Sequence, residues 1–322
     1  MEKDVYNIYS SYLKDKYGEK VYKLPVKLPL TCPNRDGNLS SGGCTFCGEE
    51  GGSFENLSSC LSVEEQLSRN KEHIGKKYKA KKFIAYFQNF SNTYMPFDDF
   101  QRYINEALQE DIVGISVSTR PDCIDSKYLQ FLSDIKYNKG IDITIELGLQ
   151  TANYHSLKKV NRGHGLAEFI EAVINTKSNG LRVCAHVIPN LPWDDMTDVI
   201  ETSRVISALG VDEVKLHSLY LMENTVLARQ YENGEFDLYP KEEYIKRVIA
   251  FLEYLDPNIV VQRIIGRAPE QGAIFVNWQE SWWKIRDEII HRMEHEKTYQ
   301  GKRFDYLGGK ALRIFNQSSG EG

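Results

Sequence analysis

The sequence predicts an α/β protein in which strands and helices alternate around a parallel sheet that curls into a partial barrel. Three observations predict it. Short apolar runs of strand length recur between segments with helical periodicity. The unit repeats six or seven times, enough for a partial or near-complete barrel. Polar residues gather directly after the apolar runs, where parallel sheets collect their chemistry.

The elements follow in order. Residues 3–17 read as a helix and 21–28 as a first extended segment. Ser62-Val63-Glu64-Glu65 has capping-box spacing and opens a helix to about Lys77. Phe83–Phe87 is a strand, followed by a helix with Phe97, Phe100, Ile104 and Leu108 on one face. Strands at Ile112–Val117 and Ile141–Leu149 flank a helix over 126–137. Leu166, Phe169, Ile170, Val173 and Ile174 give the cleanest helical period in the chain. Strands at Arg182–Ile188 and Val214–Leu219 enclose a helix stopped by Gly210. Pro240 starts a helix that Asp256-Pro257 closes, Ile259–Ile264 is a last strand, and 278–297 a last helix.

Length and composition set the bounds. The 322 residues suit a single α/β barrel, and 41% hydrophobic with 26% charged residues is ordinary globular composition. The start, Met1-Glu2-Lys3-Asp4, has no cationic-apolar signal pattern, and no apolar run reaches the ~20 residues of a membrane span. Six cysteines in a chain this long are no secreted disulfide framework, so the expected compartment is the cytoplasm. The net charge of −5 excludes a polycation. One basic run stands out: Lys76, Lys77, Lys79, Lys81 and Lys82, preceded by Arg69 and Lys71. It reads either as a phosphate-binding patch or as a solvated face.

The most informative stretch is Cys32-Pro33-Asn34-Arg35-Asp36-Gly37 running on to Cys44-Thr45-Phe46-Cys47. Its Gly, Asn, Asp and Ser content folds as a loop. Thiolate sulfur suits zinc or iron–sulfur iron, and both want four ligands. Three cysteines therefore leave one iron of a cluster open, or need a fourth ligand such as Cys60; three inert thiols are the remaining reading. Because the loop follows the first extended segment, it falls on the rim where the other polar strand ends lie. Those are Gln88 to Tyr94, Ser118 to Asp122, Glu146 to Gln150, His186, and Lys215 with His217. Glu146 is the least ordinary, because a carboxylate inside Ile143–Leu147 is costly without a partner. Cys60, Cys123, Cys184 and the pair His291/His295 read as structural or solvated.

These residues carry a resemblance. The cysteine loop is similar to that of the radical S-adenosylmethionine (SAM) superfamily, in the long-loop form CPNRDG…CxFC. That form marks the YhcC/YtqA-type branch, related to the Elongator catalytic subunit. Tyr86-Phe87-Gln88 with Ser91-Asn92-Thr93-Tyr94 resembles YFQ…NTY, and Thr119–Asp122 matches TRPD. Glu146–Gln150 matches ELGLQ, and Asn161–His164 matches NRGH. Three positions depart from the branch: Asn190 and Trp193 replace two glycines, and Arg267 follows Gly266 where an acid is usual.

The resemblance implies a partial (β/α)6-type radical SAM barrel over 21–265, between an N-terminal helix at 1–20 and a C-terminal helical extension at 266–322. It implies that Cys32, Cys44 and Cys47 hold a 4Fe-4S cluster whose open iron takes SAM, and that SAM is cleaved reductively to a 5′-deoxyadenosyl radical. Gln88, Asn92, Thr93, Ser118, Arg120, Glu146, Gln150 and His186 are the expected SAM-binding residues. A flavodoxin- or ferredoxin-type protein is the expected electron donor. The YtqA-type (MnmL-like) proteins are implied to convert 5-carboxymethylaminomethyl-(2-thio)uridine at the tRNA wobble position to the 5-aminomethyl form. Tyr94, Trp193, Trp278, Trp282 and Trp283 are candidates for stacking on the splayed base, and the Lys76–Lys82 run for contacting tRNA. Another RNA or a small molecule is the alternative substrate, and a zinc-stabilised RNA-binding protein the alternative of another class. Nothing in the sequence sets an oligomeric state.

Overall fold

The computed structural model describes residues 4–48, 51, 57–267, 269 and 272–316. Seven parallel strands pair in chain order. They are β1 (Val21–Val26), β2 (Lys82–Phe87), β3 (Ile112–Thr119), β4 (Asp142–Gln150), β5 (Arg182–Val187), β6 (Glu213–Leu216) and β8 (Val260–Arg263). Sequential parallel pairing demands a crossover after each strand, and helices supply most of them. These are α2 (Val63–Tyr78), α3 (Phe97–Glu106), α4 (Ser126–Lys139), α5 (Tyr154–Lys159) with α6 (Leu166–Ser178), α7 (Met196–Ala208) and α9 (Lys241–Tyr254). The sheet curls into a half-barrel, as the strand–helix alternation predicts. Leu24, Ala85, Val117, Ile145, Val183 and Val214 are buried in one core, together with Phe169, Val173, Ile245 and Val248 from the surrounding helices.

The local signals act as expected. Ser62 Oγ accepts the Glu65 N–H at 3.1 Å and starts α2. Gly140 ends α4 with its N–H on the Lys136 carbonyl, at 2.9 Å.

Three elements differ from expectation. The first helix, α1, spans only Tyr9–Tyr17 rather than 3–17, and Lys3 lies outside the described residues. The preceding backbone binds elsewhere: Val261 donates to the Asn7 carbonyl at 2.8 Å and Gln300 to the Val5 carbonyl at 2.9 Å. The strand tip expected at 214–219 leaves the sheet after Leu216. Leu221–Met222 (β7) then pairs antiparallel with Ala273–Phe275 (β9), and α8 (Val226–Glu232) follows β7. The last helix, α10, starts at Trp282 rather than 278 and runs to His295. Asn277, Trp278 and Gln279 precede it with φ of +42°, +52° and +62°. Left-handed non-glycine residues cost about 1–2 kcal/mol each. Asn277 shows what holds them: its side chain accepts from Ser218 Oγ at 2.5 Å and donates to the Gly266 carbonyl at 3.2 Å. It thereby ties the loops after β6 and β8 together. A short α11 (Arg313–Asn316) closes the described chain. No helix among the described residues is long and apolar enough to cross a membrane.

Candidate active site

A cavity of about 630 Å³ opens at the C-terminal ends of the strands. Cys32, Cys44 and Cys47 line it. Six of the eight expected SAM-binding residues line it too: Gln88, Ser118, Arg120, Glu146, Gln150 and His186. Asn92 and Thr93 do not. The Asn92 amide is committed to the carbonyls of Phe87, Asn89 and Ser118, at 3.2, 2.8 and 2.9 Å. Thr93 Oγ1 meets Thr119 Oγ1 at 2.6 Å and donates to the Cys123 carbonyl at 2.6 Å. Both side chains lock the loop after β2 against β3.

The rim of the cavity is the cysteine loop. Gly43 has φ +85°, and a Cβ there would stand 2.9 Å from Arg35 Cγ, so the turn requires glycine. The loop docks on α5 and the residues after it. Thr45 donates to the Val160 carbonyl at 3.0 Å, and Asn34 Nδ2 to the Asn161 carbonyl at 2.6 Å. Donors converge on the sulfurs: Arg162 Nη1 at 3.4 Å and Asn34 Nδ2 at 3.6 Å from Cys44, and Arg35 Nη1 at 3.6 Å from Cys47. Burial, with Cys44 adding to it, pushes the Cys47 thiol up to about 11. Metal ligation removes that proton, and the two guanidinium groups then face thiolates.

The donor set fits a multi-iron group better than a single ion. A tetrahedral zinc would draw its sulfurs to within about 3.8 Å of one another, given its ~2.3 Å bonds. The three thiols here do not gather within 4.8 Å. Cys60, the fourth ligand of the zinc alternative, is exposed.

Below the rim lies a floor of buried polar groups reaching across the barrel. Glu146, 1% exposed, is its centre. It pairs with Lys23, with Lys215 at 2.6 Å and with His186 Nε2 at 2.7 Å. Ser118 Oγ donates to it at 3.5 Å and Gln262 Nε2 at 3.5 Å. Tyr86 takes a hydrogen bond from Lys215 at 3.0 Å. Burial works against the carboxylate, but Lys215 and Lys23 hold its pKa well below the usual range. Burial brings Lys215 down to about 8 despite Glu146, and His186 to about 4, so that imidazole is neutral at pH 7. With Nε2–H given to the carboxylate, Nδ1 of His186 is left as an acceptor. The His217 ring lies 5.2 Å beyond, and Arg263 Nη2 donates to its Nδ1 at 2.8 Å. Glu146, Cys184 and His186 are grouped closely enough for a cation, but the ammonium groups of Lys23 and Lys215 already occupy that carboxylate.

Sequence reasoning passed over Lys23, Arg35, Arg162 and Arg263 as site residues, although Arg35 and Arg162 stand inside quoted motifs. The stacking candidates also differ. Phe46, Phe90 and Tyr220 line the cavity, whereas Trp278 packs on Tyr244 at 5.1 Å and donates to the Tyr239 carbonyl at 2.8 Å. Of the departures, Asn190 Oδ1 accepts the Leu219 N–H at 2.8 Å and shapes the loop after β6, and Trp193 packs on Phe236 at 5.4 Å. The Lys76–Lys82 run is not part of this assembly. It joins the end of α2 to the start of β2, at the opposite end of the strands from the cavity. Lys76 pairs with Glu72 at 2.7 Å and Lys82 with Glu19 at 3.2 Å.

A radical SAM superfamily model matches residues 34–206, more than half of the chain, and a radical SAM C-terminal domain model matches 211–295. The chain belongs to the radical SAM superfamily. It is 34% identical over 305 residues to the uncharacterized protein YtqA of Bacillus subtilis, covering 94% of each chain. It is 26% identical over 177 residues to the tRNA uridine(34) acetyltransferase of Dehalococcoides mccartyi, covering 54% of this chain and 37% of that one. The fold is similar to that of Elp3 from Methanocaldococcus infernus, with TM-score 0.67 and 19% identity over 87% of this chain and 64% of that chain. The protein is a radical SAM enzyme of the YtqA type, and a 4Fe-4S cluster and SAM are its cofactors.

Proposed function

We propose that this radical SAM enzyme acts on the wobble uridine of tRNA and converts its 5-carboxymethylaminomethyl group, with or without 2-thiolation, to 5-aminomethyl. In this reading Cys32, Cys44 and Cys47 hold the cluster, with Arg35 and Arg162 offsetting its negative charge. Gln88, Ser118, Arg120 and Gln150 are the SAM-contacting groups, and a flavodoxin- or ferredoxin-type protein supplies one electron to start the cycle, which oxidation of the substrate gives back. When bound, cluster and SAM supply reductive cleavage to a 5′-deoxyadenosyl radical, which removes a hydrogen that acid–base chemistry cannot.

The stoichiometry closes without a further oxidant. SAM, the modified uridine and water give methionine, 5′-deoxyadenosine, the aminomethyl uridine, glyoxylate and a proton. The nitrogen–methylene carbon is oxidised by two electrons, SAM is reduced by two, and water supplies the aldehyde oxygen as the C–N bond breaks. The chain's own part is to seat the arm against the floor, to accept a proton at the neutral His186, and to stack the splayed base on Phe90 or Tyr220.

The observation that carries the reading is the charge of the cavity wall. Among the described residues, Lys27, Arg35, Arg120, Arg162, Arg263 and Arg267 line it with a single acid, Glu146, which Lys23 and Lys215 already neutralise; Asp122, outside the lining, pairs with Arg120. Such a wall favours an anionic substrate, as an RNA with a carboxylate-bearing arm is. The partial identity to a tRNA uridine(34) acetyltransferase supports the same position on tRNA.

The test is direct. Reconstituted enzyme, SAM and reductant are incubated with tRNA carrying the carboxymethylaminomethyl nucleoside, and digests are analysed by mass spectrometry. Appearance of the aminomethyl nucleoside with equimolar 5′-deoxyadenosine and glyoxylate is the expected result. Unaltered nucleoside beside active SAM cleavage would reject this substrate.

A further inference from the structure

We propose that Arg263, seated on His217, is the receptor for the carboxylate of the substrate's carboxymethyl arm, and so the residue that makes the enzyme select the carboxymethylated wobble base. The inference rests on the substrate reading above.

Arg263 ends β8 and lines the cavity from the strand farthest along the sheet from the cysteine loop's own β1. Its partner in register on β6 is Lys215, so it belongs to the floor and not to the outer mouth where RNA phosphates would pass. Among the described residues, the guanidinium is oriented by a ring and by no acid. Its Nη2 donates to His217 Nδ1 at 2.8 Å and lies 3.2 Å from Nε2, and its buried Nε has no partner. Among the described residues no carboxylate pairs with it, and the nearby acid Glu146 is already shared by Lys23, Lys215 and His186. A half-buried guanidinium held by a neutral ring, with its Nε unspent, is a fork that matches a planar carboxylate. Asn277 fixes the position by joining Ser218 to Gly266, the loops on either side of the pair.

Two carboxylates enter this cavity in the proposed reaction, that of SAM and that of the arm. The assignment to the arm follows from placement. Apart from Glu146 and His186, which belong to the floor, the side chains proposed for SAM that line the cavity come from β2, β3 and β4 and the turns after them. Arg263 stands on β8, three strands past β4 in the sheet. It also lines a second cavity of about 710 Å³ under α1, bordered among the described residues by Lys14 and Lys20 and by the Glu146-paired Lys23 and Lys215.

The experiment compares binding of two anticodon stem-loops, one with 5-carboxymethylaminomethyluridine and one with 5-aminomethyluridine, to the reconstituted enzyme with SAM. The wild type is expected to prefer the carboxylate-bearing loop by about tenfold to a hundredfold, the range of a charge-assisted bidentate contact. Arg263→Gln should abolish that preference while the aminomethyl loop binds as before, and Arg263→Lys should keep part of it. SAM affinity and thermal melting of both variants should match the wild type. Undiminished preference in Arg263→Gln overturns the assignment, and so does a loss of SAM affinity with preference retained, which would give Arg263 to SAM. A wild type that, given reductant, leaves the carboxylate-bearing loop unconverted overturns the substrate reading itself, a result separable from the first two because it needs no variant.

Discussion

Rim and floor of the same cavity satisfy their polar groups in opposite ways. Around Glu146 the floor closes on itself, with Lys23, Lys215 and His186 on one carboxylate, while Arg263 at its edge keeps a buried Nε without a partner. At the rim, the side chains point at sulfur, and buried atoms such as Asn34 Oδ1, Arg162 Nε and His164 Nε2 have no partner. Native structures leave few such atoms, and each needs a reason. The difference assigns the regions different work. The floor is part of what holds the barrel together, whereas the rim becomes complete only with a ligand.

The largest effect should come at the rim. Cys44→Ser is expected to abolish cluster incorporation and SAM cleavage together, read as iron content, visible absorption and 5′-deoxyadenosine release. The apo-protein's melting should shift little, since Cys44 takes part in no ion pair of the fold. A brown, active variant would remove the distinction between the two regions. The floor should behave in reverse. Glu146→Ala leaves Lys23 and Lys215 buried without their acid and should cost about 3–5 kcal/mol in urea unfolding of the apo-protein. Apo-protein unaffected by that change would mean that the floor, like the rim, waits for a ligand.

How much of this the sequence discloses depends on range. The alternation of strands and helices is a local, periodic signal, and it places all seven strands of the sheet. Polar residues after strands follow from the same alternation, which is why Gln88, Ser118, Glu146 and His186 are found without any knowledge of their neighbours. Lys23 is not found, because a lysine in Val21–Val26 reads as a solvent-facing strand residue and its partner is 123 positions away. Arg263 is hidden for the same reason: its ring partner is 46 positions upstream, and only the pairing of β8 beside β6 brings them together. The β7–β9 pair is two and three residues long, too short to leave a period. Asn92 and Thr93 illustrate the converse limit. Their motif is legible, but which neighbour each side chain binds depends on how the loop after β2 folds onto β3.

The smallest effect should come from the exposed lysines, which sharpen the comparison by standing outside it. Lys76, Lys77, Lys79 and Lys81 are solvated, and the β2 strand of six residues, about 20 Å long, separates them from the cavity mouth. Surface pairs such as Lys76–Glu72 contribute little to stability, so charge reversal here should leave the fold intact. An anticodon stem-loop held at the mouth lies beyond a Debye length of about 10 Å, and its affinity should not change. Full-length tRNA extends past the mouth and is expected to bind several-fold more weakly to the reversed variant, with a shallower dependence on salt. Equal losses for stem-loop and full-length tRNA would place the run within reach of the site. No loss for either would make it a solvated face and nothing more.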